Sequence, residues 1–167
     1  YPKCAACLYG KQRRRPAPGK TSSVVQDRAG VFKQNDLHPG QWIAVDHFVC
    51  STKGRLFTSR GMTSDSQMYS GGCIFVDHAS GYLHVEFQTS LNTHETLHAK
   101  QQYELMCHNH GVIPQAYISD NGSAFTSAGF TAKLQEFAQI IRFAGAGAHH
   151  YNGTAECAIQ TIMSMAR

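Results

Sequence analysis

Apolar and polar residues alternate along this chain in patterns that mark out a sheet and three helices. Gln41 to Cys50 is apolar and rich in Val, Ile and Phe, the pattern of a strand buried on both faces. Ser51 to Gly72, rich in Ser, Gly and Thr, reads as an elongated hairpin loop. Cys73-Ile74-Phe75-Val76 and Tyr82 to Phe87 are strand-like, and Asp77-His78-Ala79-Ser80-Gly81 between them signals a hairpin. From Leu91 to His110 the spacing turns helical. Ala116 to Ser119 is a fourth strand. Ser127 to Ala138 is a second helix, with Phe130, Leu134 and Phe137 on one face. Ile140 to Phe143 is a short fifth strand, Ala144 to His150 a Gly-rich loop, and Thr154 onward a third helix that the chain end truncates. The order predicts an α/β domain: a mixed five-stranded sheet flanked by helices.

Three acids end or follow these elements. Asp46 follows Trp42-Ile43-Ala44-Val45; Asp120 ends Ala116-Tyr117-Ile118-Ser119 and precedes Asn121-Gly122-Ser123; Glu156 follows Tyr151-Asn152-Gly153-Thr154-Ala155. Asp46 and Asp120 are expected on adjacent central strands, with the last helix bringing Glu156 across to them. Asn152 is a plausible N-cap for that helix, and Glu156 in its first turn is favoured by the helix dipole. Such a triad suits phosphodiester chemistry. Two divalent ions roughly 3.5–4 Å apart activate an oxygen nucleophile, stabilise the leaving oxygen and neutralise phosphate charge. Mg²⁺ takes oxygen ligands and keeps several waters, so few carboxylates suffice. Asp46 is the choice for bridging ligand, with Asp120 and Glu156 holding one ion each. Without metal the acids repel one another, which raises at least one pKa and leaves Glu156 loosely ordered. The bland alternative is three ordinary surface acids.

These segments carry a resemblance. Ile43-Ala44-Val45-Asp46, Cys73 to Tyr82, Ile118-Ser119-Asp120-Asn121-Gly122-Ser123-Ala124-Phe125 and Asn152-Gly153-Thr154-Ala155-Glu156 fall in order across residues 36–167. Together they resemble the catalytic core of retroviral-type integrases, closest to those of copia-like retrotransposons. The 35 residues between Asp120 and Glu156 match that family's Asp-Asp-35-Glu pattern. The resemblance implies a ribonuclease H-like fold and dependence on two Mg²⁺ or Mn²⁺ ions at Asp46, Asp120 and Glu156. It implies 3′-end processing of element DNA and strand transfer into target DNA. It also implies double-stranded DNA and further copies of the chain as partners, an origin in a Pol polyprotein, and a location in the nucleus or a cytoplasmic virus-like particle. Many relatives carry a basic residue directly after the glutamate or one turn on; here those places hold Cys157 and Gln160, with Met163 two turns on. Gln160 and Asn152 stand where contact with DNA is expected. The same departures allow a second reading, a nucleic-acid-binding or assembly module of this fold without activity. The stretch Ser51 to Ser70 is longer than the usual hairpin.

Composition adjusts this picture modestly. The chain has 167 residues, 42% hydrophobic and 16% charged, with net charge +4, as a globular domain with an appendage would have. Basic residues crowd the start: Lys3, Lys11, Arg13, Arg14, Arg15, Lys20, Arg28 and Lys33 face only Asp27 and Asp36. Residues 12–35 read as a basic linker in which Lys11 and Arg13 to Arg15 can track a DNA backbone, or as a plain solvated segment. Residues 1–11 hold Cys4 and Cys7. The resemblance makes this pair the tail of a His-His-Cys-Cys zinc module, a partial Zn²⁺ site that only the full-length protein would complete, since tetrahedral zinc needs four ligands. The remaining cysteines, Cys50, Cys73, Cys107 and Cys157, form no dense framework and suit reduced thiols in an intracellular protein. No apolar run is long enough to cross a bilayer.

Two histidine motifs remain. His94-Glu95-Thr96-Leu97-His98 fits the His-Glu-x-x-His template of zinc proteases, with Glu95 as base, or else forms a solvated helix face. Its metzincin extension is missing, because Gln101 and Glu104 stand where Gly and His are needed. His149 and His150 are either a polar loop pair or contacts to target phosphate. His47 points to the strand face opposite Asp46 and is expected to be packed or hydrogen-bonded.

Overall fold

The structure, a computed structural model, describes residues 36–144 and 152–166. The cysteine pair Cys4 and Cys7, the basic segment Lys11 to Arg15 and the His149–His150 pair lie outside the described residues.

Eight main elements follow in order: β1 (Ile43–Arg55), β2 (Met68–Asp77), β3 (Leu83–Gln88), α1 (Thr93–Asn109), β4 (Ala116–Ser119), α2 (Ala128–Glu136), β5 (Ile140–Phe143) and α3 (Gly153–Met165). The sheet order is β3-β2-β1-β4-β5. The first three strands form an antiparallel meander, and β4 and β5 join parallel to β1 through helical crossovers. The expected fourth and fifth strands are found at the expected residues. The expected loop from Ser51 to Gly72 is in large part strand: β1 runs on to Arg55 and β2 starts at Met68, with the pairing irregular between Val49 and Gly54. Ser51 to Arg55 are exposed, and the register shift between Val49 and Gly54 further hides the strand period.

The hydrophobic periodicity sorts into two layers. Ile43, Val45, Cys73, Phe75 and Tyr117 point to one face, where Ala99, Tyr103 and Cys107 of α1 and Phe130 and Leu134 of α2 cover them. Phe75 and Tyr103 stack with centroids 4.8 Å apart, worth about 0.5–1.5 kcal/mol beyond their area burial. Ala44, Ile74 and Val76 point to the other face and meet α3 through Ala155, with Ala158, Ile159 and Ile162 packed alongside. That is an i, i+3, i+4, i+7 stripe. Ala44 and Ala155 are both fully buried, and two methyl side chains facing each other let the first turn of α3 approach β1 closely.

Local chemistry sets the element ends. Asn92 caps α1 by accepting from Glu95 N (2.9 Å), and Ser127 caps α2 by accepting from Phe130 N (3.2 Å). Asp77, buried at the end of β2, organises the hairpin to β3. Its carboxylate accepts from Ser80 N (2.7 Å) and Ser80 Oγ (2.6 Å) on one oxygen and from Gly40 N (2.9 Å) on the other. Between α1 and β4, Lys100 and Glu104 form a buried pair at 2.7 Å, joined by the Tyr117 hydroxyl at 2.7 Å and by the Gln139 amide.

Candidate functional site

Register and side-chain alternation place the three acids. Ala44 pairs with Ile118, and both point to the α3 face. Two residues on from each stand Asp46 and Asp120, so the alternation returns both to that face at the same end of the two parallel strands. Ala155 docks on Ala44 and Ile74, and Glu156 follows it directly in the first turn of α3. The placement expected from sequence, with acids on adjacent central strands and a third from the last helix, is found.

The electrostatics agree. Asp46 is pushed up from 3.8 to about 6, first by burial, then by the charge of Asp120, with Glu156 adding to it and the His47 backbone N–H opposing it. Each aspartate has one oxygen anchored locally. Asp46 Oδ1 accepts from His47 N at 2.8 Å, and Asp120 Oδ1 accepts from Gly122 N at 3.0 Å. Among the described residues the second oxygen of each has no donor. At Gly122 a Cβ would lie 2.9 Å from Asp120 Oδ1, so the glycine keeps the space beside that carboxylate open. The Glu156 side chain is exposed and bonds to none of the described residues. The three acids share one field without forming a closed ligand set: among the described residues, no three His, Cys, Asp or Glu side chains are grouped to hold a metal ion. The donor chemistry nonetheless fits a hard divalent cation. Uncommitted carboxylate oxygens sit where negative charge is already disfavoured, and bound Mg²⁺ would relieve that charge.

Asn152 corrects the sequence reading. It stands at the N-cap position of α3, but its backbone is not extended and its side chain makes no capping bond. Instead Nδ2 donates to Val45 O at 3.2 Å, deep in the interior, while Oδ1 is buried without a partner. The amide therefore ties α3 to β1 one residue before Asp46 and does not face a DNA surface. Gln160 is exposed on α3. His47 lies on the far face as expected. Its Nε2 meets Thr96 Oγ1 at 3.0 Å and its ring stacks on Phe125 at 4.5 Å; burial lowers its pKa, against the upward pull of Asp120.

The protease template fails on geometry. Glu95 is engaged in the start of α1, accepting from Thr89 N (2.7 Å), Thr89 Oγ1 (2.6 Å) and Ser90 N (3.2 Å). A carboxylate so used is not a free base beside His94 and His98. The four described cysteines are free. Among the described residues no helix is long and apolar enough to cross a membrane. Sequence reasoning missed the Lys100–Glu104–Tyr117–Gln139 network. The i, i+4 spacing of Lys100 and Glu104 was its only local signal, because Tyr117 and Gln139 join through the fold.

No protein-family model matches the sequence, and no curated protein does. Solved structures do. The HTLV-2 integrase catalytic core domain in complex with magnesium (dimeric form) superposes with a TM-score of 0.52 at 20% identity, over 74% of this chain and 67% of that one. A chain of the simian T-cell lymphotropic virus intasome in complex with PP2A regulatory subunit B56 gamma gives 0.54 at 17% identity, over 72% of this chain. The catalytic core domain of BIV integrase gives 0.51 at 12%, over 72%. This chain spans 37% and 65% of those two chains. At such identities the likeness establishes architecture: the chain has the ribonuclease H-like fold of retroviral integrase catalytic cores.

Proposed function

We propose that this chain is the catalytic core of a metal-dependent polynucleotidyl transferase. It would process the 3′ ends of retroelement DNA and join them to target DNA, in the manner of copia-like integrases. One observation carries the reading: Asp46 is raised to about 6 by burial together with the charges of Asp120 and Glu156. The charges of both other acids therefore reach Asp46, although the three do not close into a ligand set. Asp46, Asp120 and Glu156 would hold two Mg²⁺ or Mn²⁺ ions, which supply charge neutralisation and activation of the attacking oxygen. The protein's own part is orientation. The His47 and Gly122 amides fix one oxygen of each aspartate. The Asn152 tie and the Ala44–Ala155 contact hold the start of α3, and so Glu156, beside them. In strand transfer a 3′-hydroxyl oxygen forms a bond to phosphorus as the opposite phosphorus–oxygen bond breaks in line. Magnesium in the HTLV-2 core, and the dimeric and intasome forms of the matching structures, support a divalent cofactor, a DNA partner and self-association for this chain.

A strand-transfer assay on short duplex ends with Mg²⁺ tests the reading. Product from the wild type and none from Glu156→Gln is expected; equal product from both sinks it. The rival, an inactive module of the same fold, draws on the unclosed donor set and on Cys157 and Gln160. Calorimetric Mg²⁺ titration separates them. The catalytic reading requires binding that Asp46→Asn with Asp120→Asn removes, whereas the rival requires no binding at all.

A further inference from the structure

The β1–β2 hairpin runs far past the rest of the sheet. β3 stops pairing at Gln88, opposite Gly71, yet β1 and β2 pair again at Gly54 with Tyr69 and at Arg55 with Met68. Beyond that row the chain is a two-stranded ribbon. It leaves from the end of the sheet that bears the carboxylates, because β1 passes Asp46 on its way out. From Ile74, the partner of Asp46, to Tyr69, the partner of Gly54, is five strand residues on β2, roughly 17 Å at about 3.4 Å each.

The ribbon's tip has a defined shape and chemistry. Ser59 N donates to Leu56 O at 3.0 Å and Ser59 Oγ at 2.7 Å, a turn with Phe57 and Thr58 at its corner. The Arg55 guanidinium donates to Gly61 O and closes the base of the loop. Lys53 pairs with Asp65 at 3.0 Å. Phe57 is 91% exposed and Met62 fully so. Between them stands Arg60, exposed and without an ion pair among the described residues. From Cys50 to Gln67 the cations Lys53, Arg55 and Arg60 outnumber the single acid Asp65, and Thr52, Thr58, Ser59, Thr63, Ser64 and Ser66 supply hydroxyls.

We propose that this ribbon is a DNA-gripping arm, with Phe57 and Met62 wedging into the minor groove of duplex DNA and Arg60 holding its backbone. Two features select this occupant. The excess of cations complements phosphate, and Arg, Lys, Ser and Thr are the side chains that bind phosphate oxygens. Phe and Met on a basic scaffold are residues that insert between base steps and kink the duplex. The inference rests on the proposed function for its substrate, and it adds a contact well away from the chemistry. Because the ribbon runs roughly 17 Å along β2 beyond Asp46 before its loop begins, the wedge would fall several base pairs from the joined phosphate.

The test uses a 30-base-pair duplex carrying a fluorophore at each end, in EDTA so that no ion bridges protein and DNA. Affinity is read by anisotropy and bending by energy transfer between the ends. The tip is solvent-exposed, so its variants should fold normally, and circular dichroism checks this. We expect the wild type to bend the duplex. Phe57→Ala with Met62→Ala should abolish the bend and weaken binding roughly 10-fold. Arg60→Gln should keep the bend and reduce the salt slope by about 0.9. Wild-type bending and affinity in the double variant overturn the proposal. So does a change in sedimentation state with DNA binding unchanged, which would assign the tip to a protein partner. Failure of the arm leaves the Mg²⁺ titration untouched, and loss of Mg²⁺ binding leaves the bend untouched, so the two readings fail separately.

Discussion

Replacing Asp46 by asparagine removes a charge that the fold disfavours. In the folded chain the carboxyl is raised from 3.8 to about 6. Between those values the folded state keeps a proton that the unfolded chain has released, so stability falls as pH rises through the window. Above it both states are ionised and the whole penalty is present; below it both are neutral and the penalty is gone. A rise of about two units is worth roughly 3 kcal/mol, and partial exposure of the site trims this to about 2. Asparagine keeps an oxygen for the His47 N–H that Asp46 Oδ1 now accepts, so the substitution removes charge with little else. Asp46→Asn should therefore stabilise the metal-free protein at pH 7 by about 2 kcal/mol, or roughly 4–8 °C in melting temperature for a chain of this size. The gain should shrink steadily from pH 6 and vanish near pH 3.5. Added Mg²⁺ should raise the wild-type melting temperature more than that of the variant, because a ligand that binds only the folded state stabilises it by mass action. Calorimetric scans from pH 3.5 to 8, with and without Mg²⁺, measure all of this. A variant no more stable than the wild type at pH 7, or a difference independent of pH, refutes the account of a buried, mutually repelling acidic site.

Glu104→Ala leaves Lys100 buried beside Tyr117 with its countercharge removed, and urea denaturation should show a loss of about 3–5 kcal/mol. Asn92→Ala deletes the α1 cap and should cost about 1 kcal/mol in the same experiment. Gly72→Ala places a Cβ 2.4 Å from Glu86 O and 2.6 Å from Phe48 Cζ; because one neighbour is backbone, the β2–β3 pairing must shift, and a loss of about 1–3 kcal/mol with altered near-ultraviolet dichroism is expected.

What the sequence shows depends on how far each cause lies along the chain. β4 and β5 were legible to the residue because short apolar runs bounded by turn residues leave little choice. The ends of α1 were legible within two residues because the cap, Asn92, and the breaker, Gly111, are local. The extent of the β1–β2 ribbon was not, since Ser51 to Arg55 are exposed and the register shifts between Val49 and Gly54, so no apolar alternation marks the strands there. The role of Asn152 was hidden for the opposite reason. An Asn-Gly-Thr turn before a helix looks the same whether its amide caps the helix or reaches Val45, and Val45 is 107 residues away.

The same division runs through the acidic site. Asp46 and Asp120 take their orientation from amides one and two residues on, and their spacing from neighbouring strands. Both settings belong to the sheet and persist while it does. Glu156 has no such local anchor. Its position derives from α3 as a rigid body, held by a small-residue contact at Ala44 and Ala155, an apolar stripe through Ile159 and Ile162, and one buried amide bond at Asn152. A substitution on that docking surface can move the third acid without touching the other two. Under the proposed function, cation affinity would depend on all three acids and so on how α3 docks.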